Sequence, residues 1–264
     1  MKILVEGKYG HGAIKSPLKG DEKKFKDIAG AMEPFDWSVG VDIEEKIGVV
    51  LPVKNQGQSF SCGGQAWSYM GEVLAFLKDK TFNEKSAKFI YAQTFAPGGG
   101  SNGIDNCKLV EAQGLANEAV CTSYMAGNTP TEAFMEEVSD ITSAIRATAT
   151  IDEANTYEFQ VVDVNNIDTI ALAINYNNGV ILGITGQNNG SWLSAFPTPP
   201  SYNNPNEMWG HWLVALGAKM INGVKYIKVK NSWGSEVGEN GVQWLSESFF
   251  IGNWVFNAWS FSLK

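Results

Sequence analysis

The sequence predicts an α+β fold with helices gathered in its first part and strands in its second. Three observations carry this. After Cys62, the apolar residues Ala66, Met70, Val73, Leu74 and Leu77 recur at three- and four-residue steps, so the run buries one helical face. From Tyr157 onward the pattern turns to alternation and short apolar runs, the signature of strands. Within that second part, Ile221-Asn222-Gly223 separates two such runs, and Asn-Gly is a strong hairpin turn. At 264 residues and 44% hydrophobic, the chain can bury the core of one large or two small domains.

In chain order, residues 1–34 are rich in Lys, Gly and Asp and show periodicity only from Phe25 to Met32, so they read as a loosely structured lead-in. Ile47 to Val53 reads as a short apolar strand ending around Pro52. The Cys62 helix runs to about Lys80 with Ser61 at its N-cap position, and a second helix falls within Asn83 to Thr94. Pro97-Gly98-Gly99-Gly100-Ser101-Asn102-Gly103 is a flexible loop, and Asp105 to Gln113 a short helix stopped by Gly114. Residues 131–149 are weakly periodic and receive no assignment. Tyr157 to Val164 and Val180 to Thr185 are strands flanking a helix over Ile167 to Tyr176 that Asn177-Asn178-Gly179 closes. Residues 186–210 form a long polar loop with four prolines, long enough to predict a functional rim. His211 to Met220 and Val224 to Val229 make the hairpin, and Val242 to Leu245 and Asn253 to Leu263 add strands. The sequence holds neither an internal repeat nor a low-complexity tract.

Charge narrows the function. Twenty basic against 28 acidic residues give a net charge of −8 with no Lys/Arg block, which argues against nucleic acid or an anionic membrane as partner. No window approaches the eighteen apolar residues of a membrane span. Met1-Lys2-Ile3-Leu4-Val5-Glu6-Gly7 breaks to charge too early for a signal peptide, so the expectation is a chain made without a leader or one from which it was removed. The compartment stays open between cytoplasmic, phage- or virion-associated and secreted. Of three cysteines, Cys107 and Cys121 read as buried thiols or, alternatively, as one disulfide, while Cys62 stands alone in a glycine- and serine-rich turn.

That turn points to chemistry. A thiol in the first turn of a helix faces unsatisfied N–H groups and the positive end of the dipole, both of which favour thiolate. A thiol hydrolase also needs a base, a group orienting that base, and donors aimed at an oxyanion. The chain has only two histidines. His11 reads as an exposed polar residue of the lead-in, whereas His211 opens the apolar strand Trp212-Leu213-Val214-Ala215-Leu216-Gly217. Asn231, in Lys230-Asn231-Ser232-Trp233-Gly234 at the end of the partner strand, can orient an imidazole. Gln56, six residues before Cys62, can place its NH₂ beside the Cys62 N–H.

Pro52-Val53-Lys54-Asn55-Gln56-Gly57 through Cys62 resembles the nucleophile motif of papain-family cysteine peptidases. Gly210-His211-Trp212 is similar to that family's histidine strand, and Lys230-Asn231-Ser232-Trp233-Gly234 through Gly241 to its asparagine motif. Phe35-Asp36-Trp37 resembles the start of the mature enzyme, so the likeness spans about residues 35–264. It implies a two-lobed papain-like fold, with a helical lobe over about 50–150 and a β-barrel-like lobe over about 155–264. It implies Cys62 as nucleophile, His211 as base, Asn231 as orienter, Gln56 in the oxyanion hole and Trp233 shielding the Asn231–His211 contact. Asn102, Gly103 and Gly210 would border the cleft that takes a peptide or protein substrate. No cofactor and no metal is implied, and residues 1–34 would be an extension or a short zymogen pro-segment.

The chain departs from the family where Gly63 replaces a tryptophan, Phe60 a glycine and Ile104 a glycine, and where Ser59 and Ser101 stand at the positions of a disulfide. These departures suit a bacterial- or phage-type member. The alternative readings are an inactive papain-like binding or structural protein, or a related thiol amidase or transglutaminase.

Overall fold

The computed structural model describes residues 4–30, 32–126, 128–153, 156–201 and 205–264. The first elements are the two-residue strand β1 (Ala13–Ile14), helix α1 (Phe25–Ala29), strand β2 (Val41–Asp42) and helix α2 (Ile43–Ile47). The helical lobe follows as α3 (Cys62–Asp79), α4 (Ala87–Thr94), strand β3 (Ser101–Asn102), α5 (Gly103–Gln113), α6 (Glu132–Glu136) and α7 (Ser143–Glu153). The β-rich lobe comprises β4 (Tyr157–Val161), α8 (Ile167–Asn177), β5 (Val180–Gln187), β6 (Met208–Ile221), β7 (Val224–Lys230), β8 (Val242–Ser246), α9 (Ser248–Ile251) and β9 (Val255–Leu263).

The sheet of the second lobe is antiparallel in the order β4-β9-β5-β6-β7-β8, with β2 added onto β6. It is an open, twisted sheet rather than a closed barrel, and the two-lobed α+β architecture holds. α8 covers it with Ile170, Ala171, Ala173 and Ile174, all fully buried. The hairpin forms where Asn-Gly predicts it, with Ile221 paired to Val224 and Asn222 at φ 50°.

The lobes meet on three tryptophans. Trp67 of α3, Trp212 of β6 and Trp259 of β9 are fully buried, with ring centroids 5.3, 5.8 and 5.3 Å apart. Each such pair adds about 0.5–1.5 kcal/mol beyond the area it buries, so this floor holds α3 rigidly against β6. All the side chains of α3 from Cys62 to Ala75 are buried, which explains why its apolar residues extend beyond one stripe.

Two sequence expectations change. Ile47 to Val53 is not a strand. Asp42 caps α2 through Glu44 N and Glu45 N, Gly48 closes it at φ 71°, and Glu44 Oε1 then accepts from Leu51 N. Side-chain anchors, with Lys230 Nζ 2.5 Å from Glu44 and 2.5 Å from Leu51 O, replace the ladder that an apolar run suggests. Residues 131–149, unassigned from sequence, contain α6 and the start of α7, with Thr131 capping the former. All three cysteines are free and buried, so Cys107 and Cys121 are thiols in separate hydrophobic clusters.

The lead-in is far from loose. A tight turn joins Val5 and Tyr9 by two backbone hydrogen bonds, and Val5, Tyr9 and Phe25 are buried in the main core. Val161 N donates to Lys23 O, which ties the segment to the sheet edge. An amphipathic residue every few positions suffices to dock such a segment on a folded body, though not to fold it alone.

Candidate active site

Cys62 begins α3, and Ser61 occupies the N-cap position without capping. The Ser61 hydroxyl is instead 2.7 Å from that of Ser59, which donates to Gln56 O. Gly63 is required by packing: a Cβ there would overlap the Ser101 hydroxyl and lie 2.6 Å from Asn106 Nδ2. A bulky residue after the thiol is thereby excluded, which accounts for that departure from the family motif.

His211 lies on β6, opposite Ile184 of β5, and Asn231 follows the end of β7. The Asn231 Oδ1 lies 3.0 Å from His211 Nε2 and accepts from Ser232 N at 2.7 Å. An accepting amide oxygen requires the proton on Nε2, which leaves Nδ1 as the basic nitrogen. Nδ1 is buried and finds no hydrogen-bond partner among the described residues. Trp233 stacks on the imidazole with centroids 4.3 Å apart and planes 26° apart, and is itself fully buried.

The Gln56 side chain is fixed at both ends. Ser232 Oγ donates to its Oε1 at 2.7 Å, while its Nε2 donates to Ser59 O at 2.7 Å and to Gly10 O at 3.3 Å. The loop carrying it is pinned to α3 by a buried ion pair, Lys54 Nζ to Glu72 at 2.7 Å. Burial pulls the Lys54 ammonium down, but the Glu72 and Glu84 carboxylates and Tyr124 outweigh it and hold it above its ordinary value.

Cys62 and His211 are both dry. Burial pushes the Cys62 thiol up to about 12, against N–H groups of Trp212, Gly63 and Cys62 that favour thiolate. Burial likewise takes the His211 imidazole down to about 3, only partly opposed by the Asn231 contact. The helix-terminus effect expected from sequence is present, and desolvation outweighs it.

The covering comes from the lead-in. Gly10 N donates to Gly57 O at 2.9 Å, and Gly10 O accepts from Trp233 Nε1 at 3.0 Å as well as from Gln56. Gly12 N donates to Gly210 O and Gly12 O accepts from Ser101 N, so Gly12 bridges the two lobes. β1 then pairs with β3 in parallel, Ala13 opposite Ser101 and Ile14 opposite Asn102. Tyr9 stacks on Trp233 with centroids 5.7 Å apart. His11, read from sequence as an exposed polar residue, is half-buried in this crossing, its ring 5.7 Å from Phe60 and 6.3 Å from Trp209.

The substrate-side residues divide. Gly210 and Trp233 face the crossing segment, and Asn102 pairs with Ile14 while its side chain caps α5 through Asp105 N. Gly103 points inward, since a Cβ there would overlap the Trp259 ring. The backbone edge that the crossing segment pairs with is therefore Ser101-Asn102, which keeps Asn102 at the cleft and leaves Gly103 to the packing beneath it. The run Gly98-Gly99-Gly100, all at φ between 85° and 90°, was the available signal. Glu132 also went unread: it accepts from Phe60 N and Tyr91 OH, both at 2.6 Å, and Tyr91 OH accepts from Gly100 N at 2.7 Å. This relay joins the two loops that a disulfide would have linked. Asn188, in the loop before β6, accepts from Glu6 N and donates to Leu4 O, each at 2.9 Å. Of the span 186–210 read as one loop, residues 186–187 belong to β5 and 208–210 to β6. Asn188 and Gly190 meet the N-terminal segment, whereas Trp192 to Ala195 turn to β8 and the core. Residues 202–204 lie outside the described ones.

Residues 35–249 match the papain family cysteine protease profile. No curated protein matches the sequence. Among solved structures, xylellain, a cysteine protease from Xylella fastidiosa, is similar at TM-score 0.77 and 18% identity, covering 99% of this chain and 98% of that one. Procathepsin B from Trypanosoma congolense gives TM-score 0.72 and 12% identity over 97% of this chain and 87% of that one. Bromelain from Ananas comosus gives 0.61 and 21% over 85% and 99%. With a motif-bearing match over most of its length and the same two-lobed fold, the chain belongs to the papain family of cysteine proteases.

Proposed function

We propose that this cysteine peptidase acts through Cys62, His211, Asn231 and Gln56, and that its N-terminal segment is a pro-segment lying across the cleft. The observation that carries the first part is the Asn231–His211 contact, which presents Nδ1 as the base from beneath Trp233. In the open enzyme Cys62 passes its proton to His211 Nδ1, and the thiolate attacks a peptide carbonyl to form a tetrahedral intermediate. The Gln56 NH₂ and the Cys62 N–H stabilise its oxyanion. The intermediate collapses as His211 protonates the leaving amine, and water then hydrolyses the thioester with His211 again as base.

In the covered form the Gly10 carbonyl takes the Gln56 Nε2 donor that an oxyanion needs. Gln56→Ala is therefore expected to lower kcat/KM by roughly 10²–10³-fold, the usual effect of one lost oxyanion donor. Asn231→Ala should slow hydrolysis less than His211→Ala, because it orients the base without replacing it. Steady-state rates of the three variants check this ranking, and an Asn231→Ala enzyme as slow as His211→Ala would contradict it.

The cover has a pH dependence whose sign follows from the shifts. His211 is depressed to about 3 when buried, so uncovering it favours proton uptake, and acid below its ordinary value near 6.5 favours the open form. Cys62 is raised to about 12, so alkali above the ordinary thiol value near 8.5 does the same. The cover should hold tightest between roughly pH 6.5 and 8.5. Hydrogen exchange of the Gly10 and Gly12 amides, corrected for intrinsic rates, should lose protection as pH falls from 7 to 5. Unchanged protection would separate the cover from these two groups.

The reading as a whole is tested with a small fluorogenic peptide, comparing the full chain with one that begins at Glu33. The shorter chain should be the faster, and equal rates without self-cleavage of the longer chain would remove the pro-segment assignment.

A further inference from the structure

Gln243 is a fully buried amide on β8, between Val242 and Trp244 and opposite Val229 of β7. A buried strand position ordinarily takes an apolar residue, because every polar atom there must find a partner. Here all of them do. Gln243 Oε1 accepts from Asn231 Nδ2 at 2.7 Å, and Gln243 Nε2 donates to Trp192 O at 2.8 Å and Ser194 O at 2.9 Å.

The pattern has only one consistent orientation. Two carbonyl oxygens from the loop before β6 demand the NH₂ of Gln243, which turns its oxygen to Asn231. An accepting oxygen there demands the NH₂ of Asn231, which turns Asn231 Oδ1 to His211 Nε2 and to Ser232 N. Inverting either amide would set oxygen against oxygen at one end and N–H against N–H at the other. The loop carbonyls are themselves immobile, because Trp192 is fully buried against Trp209, Trp233 and Phe249.

We propose that Gln243 is a positioning residue that fixes the Asn231 amide, and through it the Nε2–H tautomer of His211, from the backbone of the loop at Trp192–Ser194. This rests on the reading of His211 and Asn231 as base and orienter. Gln243 does not touch the reacting atoms. Its effect passes wholly through Asn231, so it vanishes when Asn231 is gone.

The test uses the full chain in two readouts. Because His11 and His211 are the only histidines, ¹⁵N-histidine labelling reports the His211 tautomer directly. Gln243→Met keeps the volume and removes the hydrogen bonds, whereas Gln243→Glu keeps an acceptor for Asn231 and, protonated in its buried site, a donor for one loop carbonyl. Gln243→Met is expected to convert a single Nε2–H tautomer into a mixture and to lower kcat by about 10–100-fold with KM nearly unchanged, as misplacement of a base does. Gln243→Glu should restore the single tautomer. In an Asn231→Ala background, Gln243→Met should cost less than about twofold more, since coupled residues are non-additive. A single tautomer in Gln243→Met, or the full loss of rate repeated in the Asn231→Ala background, overturns the proposal. If Gln243→Met does not fold, loss of the single tautomer in a folded Gln243→Glu chain overturns it as well. A chain without hydrolytic activity whose tautomer still follows Gln243 would refute the catalytic roles and leave the positioning intact.

Discussion

Cys62→Ala is expected to abolish peptide hydrolysis, lowering the rate by on the order of 10⁵–10⁶-fold, as removal of a nucleophile from a cooperating triad does. The fold should survive. The thiol is buried, but the lost sulfur leaves a small void, for which about 1–2 kcal/mol is an ordinary loss. Other contacts hold the local frame: Gln65 N donates to Ser61 O, and Trp212 Nε1 donates to Ser101 O at 3.0 Å. Initial rates paired with thermal midpoints check both halves. A variant with most of its activity would place the nucleophile elsewhere, while Cys107→Ala and Cys121→Ala should stay active.

Gly12→Ala should switch on the full-length chain. A Cβ at position 12 would overlap the Phe60 carbonyl oxygen and lie 2.9 Å from Gly100 Cα, both backbone atoms rather than the ends of flexible side chains. Relieving the overlap lifts the crossing and breaks Gly12 N to Gly210 O and Ser101 N to Gly12 O. Two hydrogen bonds at about 1 kcal/mol each, before any steric term, correspond to roughly 10–100-fold more open enzyme. Gly30→Ala is the matched control, since nothing lies within 4 Å of a Cβ there. Peptide hydrolysis by the two full-length variants decides the matter, and equal rates would mean that this crossing does not limit access.

Local signals carried most of the architecture. The Cys62 helix ends at Asp79, one residue before the expected limit, because its buried face is long and periodic. The Asn222-Gly223 hairpin and the α8 helix closed at Asn178 were legible for the same reason. What escaped depends on contacts between distant residues. The apolar run after α2 is held by Glu44, Lys228 and Lys230, a network no local window reveals. Val5, His11 and Gly12 belong to a segment that, beyond the Val5–Tyr9 turn, is ordered by the body it lies on. Gln56, His211 and Asn231 could be named from their motifs because the chemistry demands those residue types. Glu132 and Gln243 could not, since their partners lie far along the chain, Phe60 and Tyr91 for the one and Asn231, Trp192 and Ser194 for the other.

The claim that Cys62 is a nucleophile beneath a displaceable cover meets its most direct test in covalent labelling. The full-length chain and its Gly12→Ala variant would be treated with a peptidyl epoxide, and adducts located by peptide mass mapping over time. One adduct should form, on Cys62, faster in Gly12→Ala than in the parent, with Cys107 and Cys121 unmodified. Modification of Cys62 no faster than of Cys107, or at the same rate in both chains, would contradict it.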